Sequence, residues 1–152
     1  MTDPFVFDTT SPRYGLPLLF PGQSQKEVFV NEAHALTDAM LHCAVEGESS
    51  SPPATPVEGE NWIVGTAADG EWSGQDGDIA CRQAGNWIFV SPRSGMRVFD
   101  RASGQIILFE TSWARPAAPG LPTGGTTIDA EARMAISELI DALRACGVLP
   151  AA

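Results

Sequence analysis

The chain has 152 residues, 43% hydrophobic and 18% charged, which suits one domain or a small domain with helical appendages. Nineteen acids against nine bases give a formal charge of −10. That field disfavours a nucleic-acid phosphate backbone or an anionic membrane surface as partner, and solubility is its plainest reading.

The start, Met1-Thr2-Asp3-Pro4, lacks the basic residues and apolar run of a signal peptide. No stretch reaches the roughly 18–20 apolar residues of a membrane span. Synthesis and residence in the cytoplasm, without membrane insertion, is the expectation unless the protein leaves within a larger particle.

Residues 1–22 carry Pro4, Pro12, Pro17 and Pro21 and cannot form a regular helix. Phe5, Phe7, Tyr14, Leu16, Leu18, Leu19 and Phe20 make this an extended apolar arm that packs on something.

Residues 23–45 read as an oligomerisation helix. Ser24 and Glu27 have capping-box spacing, and Gly47 ends the run. The apolar stripe is Phe29, Ala33, Leu36, Met40 and Cys43, broadened by Val28, Ala35 and Ala39. Its spacing of threes and fours suits a helix–helix seam. Periodicity alone leaves packing on the chain's own β block equally open.

Residues 46–58, rich in serine and proline, read as a linker. Residues 59–113 read as a small antiparallel β domain. Its strands are expected at 61–66, 79–83, 86–91, 96–100 and 105–110, separated by Asp69-Gly70, Asp76-Gly77, Ala84-Gly85, Ser94-Gly95 and Ser103-Gly104. Short strands with tight connections favour a meander. The stretch Trp87–Val90 is apolar throughout and suits burial on both faces.

Residues 114–126, rich in proline and glycine, read as a second linker. Residues 127–147 read as a C-terminal helix, capped by Thr126 or Thr127 and ended by Gly147 and Pro150. Asp129 and Glu131 suit its positive end and Arg144 its negative end. Its stripe is Ile128, Ala132, Ile136, Leu139, Leu143 and Cys146, with Ile140 beside it. A lone helix of this length is marginal in water, so it must dock, and docking on a partner copy is the expectation.

Nothing in the motifs supports nucleophilic catalysis: GxSxG, the P-loop and GxGxxG are all absent. Three cysteines, Cys43, Cys81 and Cys146, without CxxC spacing argue against a disulfide framework and a zinc site. Cys43 and Cys146 lie on apolar stripes and read as small buried hydrophobes. His34 and His42 stand eight residues apart, roughly 12 Å along a helix, too far to share a metal there. Asp69, Asp76 and Asp78 could bind calcium or form an acid/base pair, but turn-forming aspartates are the preferred reading. No catalytic residue, metal or cofactor is expected. Of the four tryptophans, Trp62 and Trp87 sit in apolar strand contexts. Trp72, in a turn-rich segment, is the candidate for exposure and glycan contact.

Leu16-Pro17, Gln23-Ser24-Gln25-Lys26-Glu27 and Asn31-Glu32-Ala33 resemble the opening of a domain of uncharacterised function. That domain occurs in phage tail-fibre and spike proteins of prophages and in the head spikes of gene transfer agents. Pro53, Pro56, Gly59, Trp62-Ile63-Val64 and Gly70-Glu71-Trp72-Ser73-Gly74 are also similar, as are Ile79-Ala80, Trp87-Ile88-Phe89, Pro92, Gly95 and Trp113. The ending from Gly124-Gly125 through Asp129 and Glu131 to Arg133 is similar as well. The resemblance covers about residues 15–147 and brings no catalytic residues with it.

Taken together, these features predict an α+β, non-enzymatic structural protein, assembled as a homotrimer. The expected interface residues are Phe29, Ala33, Leu36, Met40, Ile136, Leu139 and Leu143. The resemblance implies capsid, tail or fibre proteins of a phage-like particle as partners, with attachment to a cell-surface polysaccharide or a longer fibre as the role. Gln25, Lys26, Asn31 and Glu32 are expected to be solvated, or else bonded between subunits. The rivals are a monomeric carbohydrate-binding module that exposes Trp72 and a small glycoside hydrolase using Asp76 or Asp78.

Overall fold

The computed structural model describes residues 18–19, 26–126 and 129–151. The expected arm at 1–22, apart from Leu18 and Leu19, lies outside the described residues. So do Ser24, Gln25, Thr127, Ile128 and the side chains of Lys26, Glu27 and Phe29.

Helix α1 spans Lys26–Met40 and turns Asn31, Ala35, Asp38 and Ala39 inward. The expectation of a helix to residue 45 is corrected. His42 adopts φ 49° and turns the chain away from the helical path. Ala44–Val45 then forms strand β1. The side-chain amide of Asn61 explains where the break falls. Its Nδ2 donates to the Ala39 carbonyl at 3.3 Å and the Ala44 carbonyl at 3.2 Å. It thus satisfies a carbonyl at the helix end and one in the strand.

The remaining strands are β2 (Glu48–Ser49), β3 (Asn61–Val64), β4 (Ile79–Gln83), β5 (Asn86–Val90), β6 (Arg97–Asp100), β7 (Gln105–Phe109) and β8 (Trp113–Ala114). They form two four-stranded sheets, ordered β1-β6-β7-β8 and β2-β3-β4-β5. A purely antiparallel domain was expected, and the five longer strands do pair that way. The two-residue strands β1 and β2 instead run parallel to β6 and β3. Residues 44–49 therefore cross from one sheet to the other, and the expected linker at 46–58 contributes a strand. Arg115 joins the sheets again, pairing with buried Asp100 at 3.0 Å and with Glu48 at 2.8 Å.

The core holds Val45, Ile63, Ile79, Cys81, Val98 and Ile107, with Ala39 and Cys43 from the helix and its exit. A second cluster joins Val64, Trp72, Ala80 and Trp87, with Trp62, Ala68 and Phe89 packed against it. Strand alternation explains the division. On β5, Ile88 and Val90 pack on the first cluster while Trp87 and Phe89 pack on the second. The second sheet is therefore covered on both faces, which accounts for the unbroken apolar run of Trp87–Val90.

Trp72 lies at the heart of the second cluster and is 0% exposed, which overturns its expected exposure. It sits at the end of a short 3-10 turn, Gly70–Trp72. The loop carrying it folds back over the sheet because Asp76 accepts from the Ala67 and Ala68 amides at 2.8 and 3.0 Å. Turn residues put the loop there, and its one large apolar side chain drops into the sheet. The ring meets Trp87 edge-on at 5.1 Å and Trp62 at 6.5 Å.

Helix α2 spans Ala130–Ala145. Its cap is Asp129, which accepts from the Ala132 amide at 2.8 Å, in place of the expected Thr126 or Thr127. Gly147, at φ 69°, reverses the chain where a side chain would be strained and would also press on the Phe99 ring. The segment after α2 docks on the chain's own first sheet. The Ile106 amide donates to the Gly147 carbonyl, and the Ala151 amide donates to the Ser103 carbonyl at 2.9 Å.

Candidate functional site

Two surfaces stand out: an outward seam on α2 and a cleft between the sheets. On α2 the buried position is Ile140, flanked by half-buried Arg133, Ser137 and Arg144. The stripe beside it, on one flank of the helix, carries Ala132, Ile136, Leu139, Leu143 and Cys146. Their spacing of four, three, four and three is a coiled-coil seam. Ile136 is 42% exposed and Leu139 59%; Ala132 is exposed, Leu143 is half-buried, and Cys146 is exposed against its expected burial, whereas Cys43 is buried as expected. The helix thus buries Ile140 among half-buried polar side chains and leaves much of the apolar stripe on its flank exposed. Glu131, Glu138 and Asp141 lie off this seam.

The other expected interface residues divide. Ala33 is exposed, in line with Val30 and Thr37 on the outer face of α1 and with Leu41 just past its end. Leu36 is half-buried, and Met40 packs against the chain's own core. Phe29 lies on α1 with its side chain outside the described residues.

Asn31 is a residue that sequence reasoning placed wrongly. It is buried, not solvated, and binds within its own chain. Its Oδ1 accepts from the Leu19 amide and its Nδ2 donates to the Leu19 carbonyl, both at 2.7 Å. The side chain imitates a neighbouring strand and pins residues 18–19 to α1. Its signal in the sequence is an asparagine kept inside a helix, where it is a weak former. Glu32, as expected, is exposed. Asn31→Ala is expected to cost about 1–2 kcal/mol by removing both bonds. Amide exchange at Leu19 should accelerate while exchange in β4 and β5 stays slow.

The cleft encloses about 470 Å³ and is lined from both sheets and from the loop at 76–78. Trp113 and Phe109 form one wall, edge to face at 5.1 Å. The Trp113 Nε1–H donates to the Gly77 carbonyl at 3.0 Å, which fixes the ring. Asp78 accepts from Ser91 Oγ at 3.3 Å. Asp76 and Asp78 both reach this cleft, while Asp69 does not line it. Asp76 has the turn-forming role expected of it. Among the described residues, no group of three or more histidine, cysteine or acidic side chains could hold a metal ion. No described helix is long and apolar enough to cross a membrane.

The fold and these surfaces define a class: an α+β module with, among the described residues, two sheets and two helices, one helix carrying a partly exposed apolar stripe of heptad spacing. Residues 30–114 match the model of a family described as "Protein of unknown function (DUF2793)", and the chain belongs to that family. The match runs from α1 through β8 and does not extend to α2. No curated protein matches the chain.

Proposed function

We propose that this protein is a non-enzymatic structural module of a phage-like particle, a spike or tail-fibre component that assembles as a homotrimer. The outward heptad seam of α2 carries the reading. Apolar residues at this spacing pack best against another helix of the same pattern. A chain of charge −10 associates with itself most readily through an uncharged patch, and the acids of α2 lie off the seam. Small Ala132, Ala135 and Ala142 allow helices to approach closely. The outer stripe of α1, with Val30, Ala33 and Leu41, offers a second contact, since two heptads alone make a weak coil.

The particle context rests on the resemblance at residues 15–33 and across the β block to spike and tail-fibre domains. The module's role is attachment, to the cell surface or to a longer fibre. The monomeric sugar-binding rival has lost its Trp72 argument, because that ring is buried. A hydrolase using Asp76 has to free a carboxylate that already holds two backbone amides.

Mass by light scattering on a sizing column tests the assembly. The expected species is about three times the 16.1 kDa chain. Leu139→Glu should return it to a single chain with an unchanged circular dichroism spectrum, because Leu139 is exposed within its own chain. A native protein running as a monomer would sink the proposal.

A further inference from the structure

We infer that the cleft between the two sheets binds a neutral saccharide. A sugar ring would stack on Trp113 and Phe109 and donate its hydroxyls to Asp78 and Glu48. This deepens the attachment reading by naming a site and a ligand chemistry.

Three observations lead there. The volume, about 470 Å³, falls in the range of small-ligand sites, roughly 300–1,000 Å³. Its aromatic wall is fixed before any ligand arrives. The Trp113 ring is anchored by its own N–H to Gly77 and braced by Phe109. A fixed ring loses little side-chain entropy when a ligand stacks on it.

The polar lining also has one character. Glu48, Asp76 and Asp78 supply acceptors, and Ser91 and Thr111 supply hydroxyls, while among the described residues no lysine or arginine lines the cleft. Such a rim accepts hydrogen bonds from hydroxyl groups and repels carboxylates, sulfates and phosphates. The carboxylates are held in place: Glu48 by Arg115 at 2.8 Å and Asp78 by Ser91 at 3.3 Å. The Ser91 bond is long and exposed, so a ligand hydroxyl can replace it at little cost. An apolar wall facing a rim of acceptors matches a pyranose, which has C–H faces and an equator of hydroxyls.

The test uses the full chain with soluble neutral oligosaccharides built from glucose, galactose, rhamnose or N-acetylglucosamine. Uronic-acid and sialic-acid sugars serve as the anionic arm, and calcium chloride alone as the cation arm. Saturation-transfer NMR identifies a binder and calorimetry gives its affinity. At least one neutral saccharide should bind at millimolar concentration. Asp78→Asn should weaken it by about ten-fold or more, the loss of a hydrogen bond to a charged acceptor, with the melting temperature unchanged. Trp113→Phe, which keeps an aromatic wall but loses the anchor to Gly77, should also weaken binding.

Three outcomes overturn the inference: no neutral sugar binds, only anionic sugars or calcium bind, or both variants bind as the native chain does. The cleft lies within one chain, so this result is independent of the mass measurement. A monomer that binds sugar sinks the assembly alone, and a trimer that binds none sinks the cleft alone.

Discussion

Trp72→Ala is expected to lower the unfolding free energy by about 3–5 kcal/mol, the usual range for emptying a fully buried aromatic site. The ring is 0% exposed and touches Trp62 and Trp87. Collapse of the loop cannot refill the space, because Asp76 holds it through Ala67 and Ala68. A domain with about 5–15 kcal/mol in total would lose a large share of its stability. Trp72→Phe should cost less, since most of the volume remains. Urea unfolding gives the stability, and near-ultraviolet circular dichroism reports the loss of the tryptophan pair. A change under about 1 kcal/mol would mean that the loop does not seat this ring.

The second large effect is at Asn61, which is buried on β3. Asn61→Ala removes the donor shared by the Ala39 and Ala44 carbonyls, at an expected cost of about 2–3 kcal/mol. Asn61→Asp should be worse. It sets a buried carboxylate against two carbonyl oxygens and satisfies neither. Amide exchange in the last turn of α1 should accelerate in both variants, and most in the aspartate. If aspartate proves as tolerable as alanine, the side chain at 61 does not donate to those carbonyls.

These two positions also show what the sequence could and could not disclose. The strands from β3 to β7 were legible because short apolar runs sit between glycine turns. Trp87–Val90 was legible as a strand covered on both sides. The seam on α2 was legible as a spacing, and the structure adds the direction in which it points. The end of α1 was not legible. The apolar period continues through Cys43, and only Asn61, eighteen residues further on, shows why the helix stops at Met40. Nor were β1 and β2: two residues carry no period, and both are strands only because β6 and β3 lie alongside. Trp72 misled for a related reason. Turn chemistry describes the backbone of a loop and says nothing about which surface the loop covers. The cleft needed tertiary structure outright, since Trp113 meets Gly77 across thirty-six positions of chain.

Both helices are tied to the same sheet. Helix α1 leads into β1, the chain toward α2 leaves from β8, and the tail after α2 is bonded to residues 103 and 106 around β7. Tension between the two helices therefore runs through β1, β6, β7 and β8. Strand β3 takes a share of that load through Asn61, which holds the Ala39 carbonyl at the end of α1, while the tryptophan cluster on the other face of β5 stands to one side of it.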